Sequence, residues 1–386
     1  MPGDTVPSFG SLLKGTRLLL SFRRAPESGA EIAAARITMR YRAFGRTGLR
    51  VSVLGFGCWP MAGDRYGAIE DGEAVKAIHR ALDRGVNLVD TAPAYGAGHS
   101  EEVVARALEK TRRDVILVTK CGVKPPPPGQ LGPLRDASRA NIMREIDLSL
   151  KRLRTDWVDV LLVHWPDANT PFEETMRALE EVVASGRVRF VGVSNFTGAM
   201  MAECIRTRRI DVSQVGYHML DRRQEHETFP SCLTNGIGVM GYGSLSHGLL
   251  TGAFTTTTNF GDPSRDWRGG GVAFGQPIFR GENLKTNVGV VERLKREIAG
   301  PRGVPLSQIA LAWVLGNPAI STALVGARTP AEVDANDAGT ELDLTPVERA
   351  KIDEILAGAA GRVKEFTPLR PAMEPWGEEI PVGRSA

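Results

Sequence analysis

Three short apolar stretches decide the fold of this chain: Asn87-Leu-Val-Asp90, Asp114-Val-Ile-Leu-Val-Thr-Lys120 and Val158-Asp-Val-Leu-Leu-Val-His164. Amphipathic segments separate them, and short buried strands that alternate with helices build a parallel sheet. In a closed (β/α)8 barrel the C-terminal ends of the strands converge on one mouth. The sequence therefore predicts an α/β fold, a (β/α)8 TIM barrel in which the acid, the amine and the imidazole that end these stretches meet. The phenol of Tyr95, in the loop after the first stretch, joins them.

The remaining elements complete the barrel. Further strands are predicted at residues 53–57, 188–193, 212–217, 238–242 and 322–325, which makes eight, and helices at about 71–84, 139–152, 172–184 and 305–315. Residues 41–52, with Gly and Thr at their centre, predict a β-hairpin that plugs the barrel floor. Residues 254–283 lack periodicity and are too long for an ordinary connection, so we expect a lid among long loops at the C-terminal face.

Both ends of the chain differ in composition from the predicted barrel domain, residues 39–362. Residues 1–38 are rich in Ser, Gly, Ala and Arg, and their apolar stretches are too short for a secretory signal. We expect a disordered extension, or a start codon placed upstream of Met39. A transit peptide is the alternative, weakened by three acidic residues. Residues 363–386 are rich in proline and predict an irregular tail.

Composition narrows the class of partner. The net charge of +3 comes from interspersed Lys, Arg, Asp and Glu, which argues against nucleic acid. No apolar stretch approaches the roughly 20 residues that cross a bilayer. Cys58, Cys121, Cys204 and Cys232 form no Cys-x-x-Cys pair, so we expect free thiols, no metal and a reducing, cytoplasmic compartment. The expected partner is a small molecule. Oligomeric state is not predicted.

The four polar residues at the mouth suit proton transfer. A tyrosine phenol has a pKa near ~10, and an adjacent ammonium such as that of Lys120 lowers it. Asp90 is the counter-charge that holds Lys120, and His164 donates a hydrogen bond to a substrate oxygen. A phenol in this setting can protonate the alkoxide that forms when a hydride adds to a carbonyl. Each residue alone is more often structural or solvated, but four at one mouth favour a function.

Several motifs in order along the chain resemble the aldo-keto reductase superfamily. They are Leu88-Val-Asp-Thr-Ala-Pro-Ala-Tyr-Gly96, Thr119-Lys120, Leu161-Leu-Val-His164 and Gly192-Val-Ser-Asn-Phe196, within a resemblance from about Arg42 to Ala357. It is closest to the bacterial and plant branch related to potassium-channel β subunits. It implies that Tyr95 is the general acid, that Lys120 lowers its pKa, that Asp90 pairs with Lys120 and that His164 orients the carbonyl.

The resemblance also implies a nicotinamide site without a Rossmann domain. Ser194, Asn195 and Gln214 are expected to hold the carboxamide. Tyr217 is expected to stack on the nicotinamide ring, with core packing on the sixth strand as the alternative. Trp59 is expected at the substrate mouth beside the cofactor, with packing as the alternative. The residues expected on the pyrophosphate are Tyr242, Gly243, Ser244, Leu245 and Gly248, and those expected on the adenosine are Gly326, Arg328, Glu332 and Asn336.

Two departures from the family pattern concern the choice of cofactor. Relatives commonly have Lys where this chain has Ala253, and Gln or Arg where it has Glu332. An acid repels a 2′-phosphate and accepts a hydrogen bond from a free 2′-hydroxyl, which favours NADH. Arg328 favours NADPH. We expect NADPH, with NADH as the competitor.

The leading prediction is an NAD(P)H-dependent oxidoreductase that reduces an aldehyde or ketone to an alcohol. One alternative is an NADP-binding regulatory subunit of the same fold that senses redox state. Another is a Schiff-base enzyme with Lys120 as its nucleophile. The sequence does not identify the carbonyl substrate.

Overall fold

The computed structural model describes residues 39–63, 66, 69–125 and 134–363. The predicted N-terminal extension lies outside the described residues, and so does the predicted tail after Val363. None of the helices in the described part of the chain is both long and apolar enough to span a bilayer.

Eight parallel strands close into a barrel, which confirms the predicted fold. Two short strands precede the barrel, β1 (Tyr41–Ala43) and β2 (Arg50–Ser52), and two more, β6 (Val123–Lys124) and β7 (Leu134–Arg135), form an antiparallel ribbon at its mouth. The barrel strands are β3 (Leu54–Gly57), β4 (Leu88–Asp90), β5 (Ile116–Cys121), β8 (Val158–Val163), β9 (Val188–Ser194), β10 (Val212–Gly216), β11 (Gly238–Tyr242) and β12 (Ile320–Val325). Their order around the ring is β10-β11-β12-β3-β4-β5-β8-β9, and β9 pairs with β10.

The hairpin of β1 and β2 closes the N-terminal end of the barrel, as predicted. Phe44 and Val51 are fully buried and belong to the inner apolar cluster of the barrel. A Cβ on Gly238, the first residue of β11, would lie 2.5 Å from the Phe44 ring, so this glycine leaves the space that the ring fills.

Helices surround the ring. They are α1 (Asp71–Asp83), α2 (His99–Leu108), α3 (Arg139–Leu153), α4 (Phe172–Ala184), α5 (Gly198–Ile205), α6 (Thr228–Asn235), α7 (Gly281–Leu294), α8 (Gly300–Arg302), α9 (Leu306–Leu315), α10 (Pro330–Asp337) and α11 (Pro346–Leu356). The Ser138 side chain accepts a hydrogen bond from the Asn141 N–H and starts α3. Every residue of α9 is buried, because α9 packs between β12 and α10. The predicted helices agree with α1, α3, α4 and α9 within two residues.

The inner face of the ring changes from apolar to polar toward the C-terminal ends of the strands. Leu88, Val118 and Val212 lie in the inner apolar cluster. Because side chains alternate along a strand, the residues two places later on β4, β5 and β10 also point inward. These residues are Asp90, Lys120 and Gln214. The barrel therefore carries a polar layer directly above its apolar core.

Candidate active site

The ammonium of Lys120 lies at the centre of the polar layer. Its Nζ donates to both carboxylate oxygens of Asp90, at 2.9 and 2.8 Å, and to the carbonyl of Thr91 at 3.0 Å. Lys120 and Asp90 are buried, with 0% and 2% of their surface exposed. Burial lowers the pKa of Lys120 and raises that of Asp90, and their mutual attraction opposes both shifts. The pair is a compensated buried ion pair, which holds the ammonium in one position.

The phenol of Tyr95 is within hydrogen-bonding distance of that ammonium, at 3.1 Å from Lys120 Nζ. Tyr95 begins a short helical turn after β4, and Gly96 follows it with a φ of 61°. A Cβ on Gly96 would lie 2.6 Å from the Ala62 carbonyl oxygen, so glycine is required for this close approach.

Burial, reinforced by the negative charge of Asp90, raises the pKa of the Tyr95 phenol well above its ordinary value. We expected Lys120 to lower this pKa. The net shift in the structure is upward, because burial raises this pKa most and the negative charge of Asp90 adds to the increase, so the contribution of Lys120 stays a prediction. Tyr95 is consequently held in the protonated form, which is the form that an acid needs.

The imidazole of His164 completes the group of four. Its ring stands edge-on to Tyr95, with ring centres 5.8 Å apart. The backbone N–H of His164 donates to Cys121 O, and its carbonyl accepts from Asn195 Nδ2, so both neighbouring strand ends hold it. Burial, followed by the charges of Lys120 and Arg135, lowers the pKa of His164 well below its usual value. The imidazole is therefore neutral and can donate one N–H to a substrate oxygen.

Gln214 joins this network from the opposite side of the barrel. Its Nε2 donates a 2.7 Å hydrogen bond to Asp90 Oδ1. The sequence predicted Gln214 at a nicotinamide carboxamide and did not predict this bond to Asp90. The sequence contained a signal for this position, because the alternation of side chains along β10 directs Gln214 into the barrel.

Ser194 and Asn195 lie beside the mouth at the end of β9. Asn195 has a φ of 63°, and its side chain bridges two parts of the mouth. Its Nδ2 donates to Ser194 Oγ at 3.1 Å, and its Oδ1 accepts from the Tyr242 hydroxyl at 2.8 Å. Tyr242 ends β11 and lies over Gly216, where a Cβ would be 3.3 Å from the phenol ring. Tyr242 is thus the aromatic ring beside the predicted carboxamide residues.

The stacking prediction for Tyr217 is wrong. Tyr217 is 1% exposed, and its ring packs against Phe229 and Trp313, outside the barrel. Its hydroxyl donates to Glu225 at 2.7 Å and accepts from Asn317 at 3.0 Å. It lies three residues after Gln214, which points inward, so alternation directs Tyr217 to the outer face. The alternative of core packing is the correct one.

The loop after β11 contains the residues predicted for the pyrophosphate. Gly243 and Gly248 have positive φ values of 68° and 101°. The Ser244 hydroxyl lies within hydrogen-bonding distance of the Gly241 and Leu324 carbonyls, so it stabilises the contact between the ends of β11 and β12. Leu245 is half-buried. Among the described residues, Ser246 Oγ is buried without a hydrogen-bond partner, a feature that the sequence did not indicate.

Two cations reach this loop near Ala253. Arg268 Nη1 donates to His247 O at 3.0 Å, and Lys295 Nζ donates to Gly252 O at 3.0 Å. Neither was predicted, because both come from distant parts of the chain.

The residues predicted for the adenosine lie after β12 and on α10. Arg328 forms an ion pair with Glu332, 2.8 Å between Nη2 and Oε1, and Glu332 Oε2 accepts from the Arg328 N–H at 2.8 Å. Asn336 is half-buried on the same helix. A Cβ on Gly326 would lie 2.5 Å from the side chain of Pro60. Glycine is therefore needed at this position for packing.

Aromatic side chains wall the mouth above Tyr95. Trp59 stacks on Trp267 with ring centres 5.6 Å apart, and Trp165 lies parallel to Phe274 at 6.3 Å. Trp267 and Phe274 come from the predicted lid, which therefore contributes directly to the mouth. Phe274 has a φ of 49° at the tip of a tight turn, and its ring lies 5.2 Å from that of Tyr242.

The described residues contain no group of three or more His, Cys, Asp or Glu arranged to hold a metal ion. The four cysteines are buried free thiols.

Comparison with known proteins shows the family to which the chain belongs. Residues 53–357 match the model of the aldo/keto reductase family, and the chain belongs to that family. It is 35% identical over 321 residues to "Aldo-keto reductase YhdN" of Bacillus subtilis (strain 168), which covers 82% of this chain and 94% of the relative. It is 32% identical over 348 residues to "Probable voltage-gated potassium channel subunit beta" of Arabidopsis thaliana, 85% of this chain and 100% of the relative.

A solved structure gives the same result for the fold. The glycerol dehydrogenase AKR11B4 from Gluconobacter oxydans superimposes with a TM-score of 0.73 and 32% sequence identity, covering 87% of this chain and 98% of that one. The family and the names of these relatives support an oxidoreductase that uses a nicotinamide cofactor.

Proposed function

We propose that this protein is an NADPH-dependent carbonyl reductase that converts an aldehyde or ketone into an alcohol. The observation that carries the proposal is the 3.1 Å contact between Tyr95 OH and Lys120 Nζ, above a buried Asp90 and edge-on to a neutral His164. This arrangement offers one protonated phenol and one imidazole N–H to a single oxygen atom. A carbonyl oxygen that becomes an alkoxide needs such donors.

The residues present fit a nicotinamide cofactor. Ser246 Oγ is buried and unpartnered among the described residues, in a loop whose backbone turns through two positive-φ glycines, and such a loop suits a phosphate. Ser194 and Asn195 would hold the carboxamide, and we assign the stacking role to Tyr242 instead of Tyr217. Arg328 would meet the adenosine end. When bound, the cofactor supplies the hydride.

The chain itself controls the proton. His164 and Tyr95 orient the carbonyl oxygen between them. Tyr95 OH then gives its proton to that oxygen as negative charge develops, and Lys120 stabilises the phenolate that remains. Asp90 and Gln214 keep Lys120 in place throughout. The aromatic walls formed by Trp59, Trp165 and Trp267 keep water away from the reacting atoms.

The preference for NADPH over NADH depends on Arg328 and Glu332. Arg328 can meet a 2′-phosphate only by giving up part of its pair with Glu332, which is an exposed pair and therefore a weak one. We propose NADPH as the cofactor and NADH as its competitor.

The potassium-channel relative favours a second candidate function, a redox-sensing subunit. An intact set of Asp90, Tyr95, Lys120 and His164 supports catalysis over sensing alone. The Schiff-base alternative requires an accessible Lys120 amine, whereas this side chain is fully buried and bonded to both oxygens of Asp90.

The test is titration with NADPH and NADH, followed by a panel of aldehydes and ketones monitored by loss of nicotinamide absorbance. Tyr95→Phe should lower turnover by a factor of about 10² to 10⁴ and leave cofactor binding intact. Binding without turnover in the wild type, on every carbonyl tried, would support the sensing function. Full turnover by Tyr95→Phe would overturn the assignment of the acid.

A further inference from the structure

Glu101 is a fully buried carboxylate in the first turn of α2, outside the ring of strands. Its Oε1 accepts a 2.6 Å hydrogen bond from the Thr119 hydroxyl, and its Oε2 accepts a 2.6 Å hydrogen bond from Arg152 Nε. Burying a carboxylate is costly unless it is paired and hydrogen-bonded, and both conditions are met here. The chain therefore keeps an ion pair in the layer between helices and sheet, where apolar side chains usually pack.

The hydrogen bond from Thr119 connects the segments that hold the phenol and the ammonium of the active site. Thr119 directly precedes Lys120 on β5, and its side chain points outward because that of Lys120 points inward. Glu101 lies on the helix that begins directly after the turn Tyr95–Gly98. The bond between Glu101 and Thr119 therefore joins the segment of the phenol to the strand of the ammonium.

Arg152 contacts the turn of Tyr95 directly. It lies on α3, and its side chain packs against Gly98, where a Cβ would be 2.6 Å from Arg152 Cδ. Gly98 ends the turn with a φ of 98°. A larger residue at this position would displace Arg152, so the glycine lets the arginine lie against the turn while it pairs with Glu101.

The neighbouring residue on α2 makes a similar contact with the strand before the turn. Ser100 Oγ lies 2.9 Å from Thr91 Oγ1, and the Thr91 carbonyl accepts a hydrogen bond from Lys120 Nζ. Ser100 and Glu101 thus connect the start of α2 to the ends of β4 and β5. Burial lowers the pKa of Lys120, and Glu101 is among the groups, after Asp90, whose charge opposes that shift.

We propose that Glu101 is a positioning residue that fixes the 3.1 Å contact between Tyr95 OH and Lys120 Nζ. It acts through Thr119 on the strand of the ammonium and through Arg152 on the turn of the phenol. This inference rests on the proposed reductase function and adds a residue to the same site. Glu101 lies behind the strands and does not reach the mouth, so its loss should slow proton transfer and leave substrate binding unchanged.

Two substitutions break this connection in different ways. Glu101→Gln removes the charge that pairs with Arg152, whereas Thr119→Val removes the hydrogen bond to the strand and keeps the ion pair. In each variant the maximal single-turnover rate with NADPH should fall by about 10- to 100-fold, and the half-saturating aldehyde concentration should change by less than about twofold. Thermal unfolding checks that each variant folds, and Thr119→Val tests the inference if Glu101→Gln does not fold.

Asp159→Asn is the matched control. Asp159 is also buried, and it pairs with Arg112 and Arg189. It accepts a hydrogen bond from the Leu117 N–H near the start of β5, away from the mouth. Asp159→Asn should lose stability and keep the wild-type rate, because its effect is structural alone. An equal loss of rate in this control, or wild-type rates in both Glu101→Gln and Thr119→Val, would overturn the proposal.

A readout without turnover separates the inference from the reductase function. The chain contains five tyrosines, so the Cζ NMR resonance of isotopically labelled Tyr95 can be assigned by its absence in Tyr95→Phe. This resonance should move in Glu101→Gln and Thr119→Val and stay in place in Asp159→Asn. If it does so while the wild type reduces no aldehyde or ketone, the positioning role stands and the reductase function fails. If it stays in place in all three variants, the positioning role fails whatever the turnover.

Discussion

Gln214 Nε2 donates a 2.7 Å hydrogen bond to Asp90 Oδ1, and the same oxygen accepts from Lys120 Nζ at 2.9 Å. The bond spans the barrel interior from β10 to β4. It supplies Asp90 Oδ1 with a neutral donor in addition to the Lys120 ammonium, so this buried oxygen accepts two hydrogen bonds. Through Asp90 and Lys120, Gln214 is connected to the phenol of Tyr95.

Gln214→Leu should impair proton transfer although three hydrogen bonds, through Asp90 and Lys120, separate Gln214 from Tyr95. The Gln214 amide lowers the pKa of Asp90, which burial raises, so its loss raises that pKa further. The carboxylate then becomes protonated at a higher pH, and Lys120 loses its counter-charge. We expect kcat to fall by about tenfold or more and the acid limb of the pH profile to move upward. Met240→Leu removes only the weak 3.9 Å contact between Gln214 Nε2 and Met240 Sδ, keeps the bond to Asp90 and should leave the limb in place.

If the acid limb does not move in Gln214→Leu, the hydrogen bond from Gln214 to Asp90 has no role in proton transfer and the Gln214 side chain serves only packing. A matching loss in Met240→Leu would assign the effect to packing.

The pH dependence of the two reaction directions follows from Tyr95 and His164. Burial raises the pKa of Tyr95, so the proton donor persists as pH rises, and it lowers the pKa of His164, so the imidazole stays neutral until the pH is acidic. Carbonyl reduction should therefore be nearly flat from about pH 6 to about pH 9. Alcohol oxidation needs the phenolate as a base and should increase throughout that range.

Steady-state kcat with each substrate across this range measures the prediction. A reduction rate that falls steeply through neutral pH would contradict a raised Tyr95 pKa.

The barrel and much of the candidate site could be predicted, because strong patterns in the sequence determine them. The eight strands follow from short apolar stretches at regular spacing, and barrel closure then brings Asp90, Lys120 and His164 to one mouth. The Tyr217 error had an available remedy. Gln214 and Tyr217 differ by an odd number of positions, so alternation directs the two side chains to opposite faces of the predicted strand 212–217.

Other features of the site could not be predicted, since they depend on how loops pack. Arg135 reaches Trp165 only through the ribbon of β6 and β7, and Phe274 reaches Tyr242 from a segment without periodicity. The direction of the Tyr95 pKa shift also required the structure, because it depends on how deeply the phenol is buried. Contacts between distant loops have no signature in local sequence.

Tyr242 and Tyr217 give opposite expectations when they are substituted. Tyr242→Leu removes the ring at the mouth and should weaken cofactor binding by about tenfold. Tyr217→Phe removes a hydroxyl bonded to Glu225 and Asn317 outside the barrel, which should cost about 1–3 kcal/mol of unfolding free energy and leave cofactor affinity unchanged. Fluorescence titration and denaturant unfolding measure the two effects. Unchanged cofactor binding in Tyr242→Leu would overturn the assignment of the stacking role to Tyr242.

Glu332→Gln tests how the chain selects its cofactor. Glu332 holds Arg328 in an exposed ion pair on the first turn of α10, with 38% of the glutamate side chain and 53% of the arginine side chain exposed. Removing the negative charge frees Arg328 for a 2′-phosphate and removes a repulsion. The ratio of the NADH Kd to the NADPH Kd should rise by about two- to fivefold, since solvent weakens exposed pairs. Glu173→Gln breaks the comparable exposed pair with Arg177 on α4 and should leave the ratio unchanged. An equal change in both variants, or a fall in the ratio for Glu332→Gln, would place cofactor selection elsewhere in the mouth.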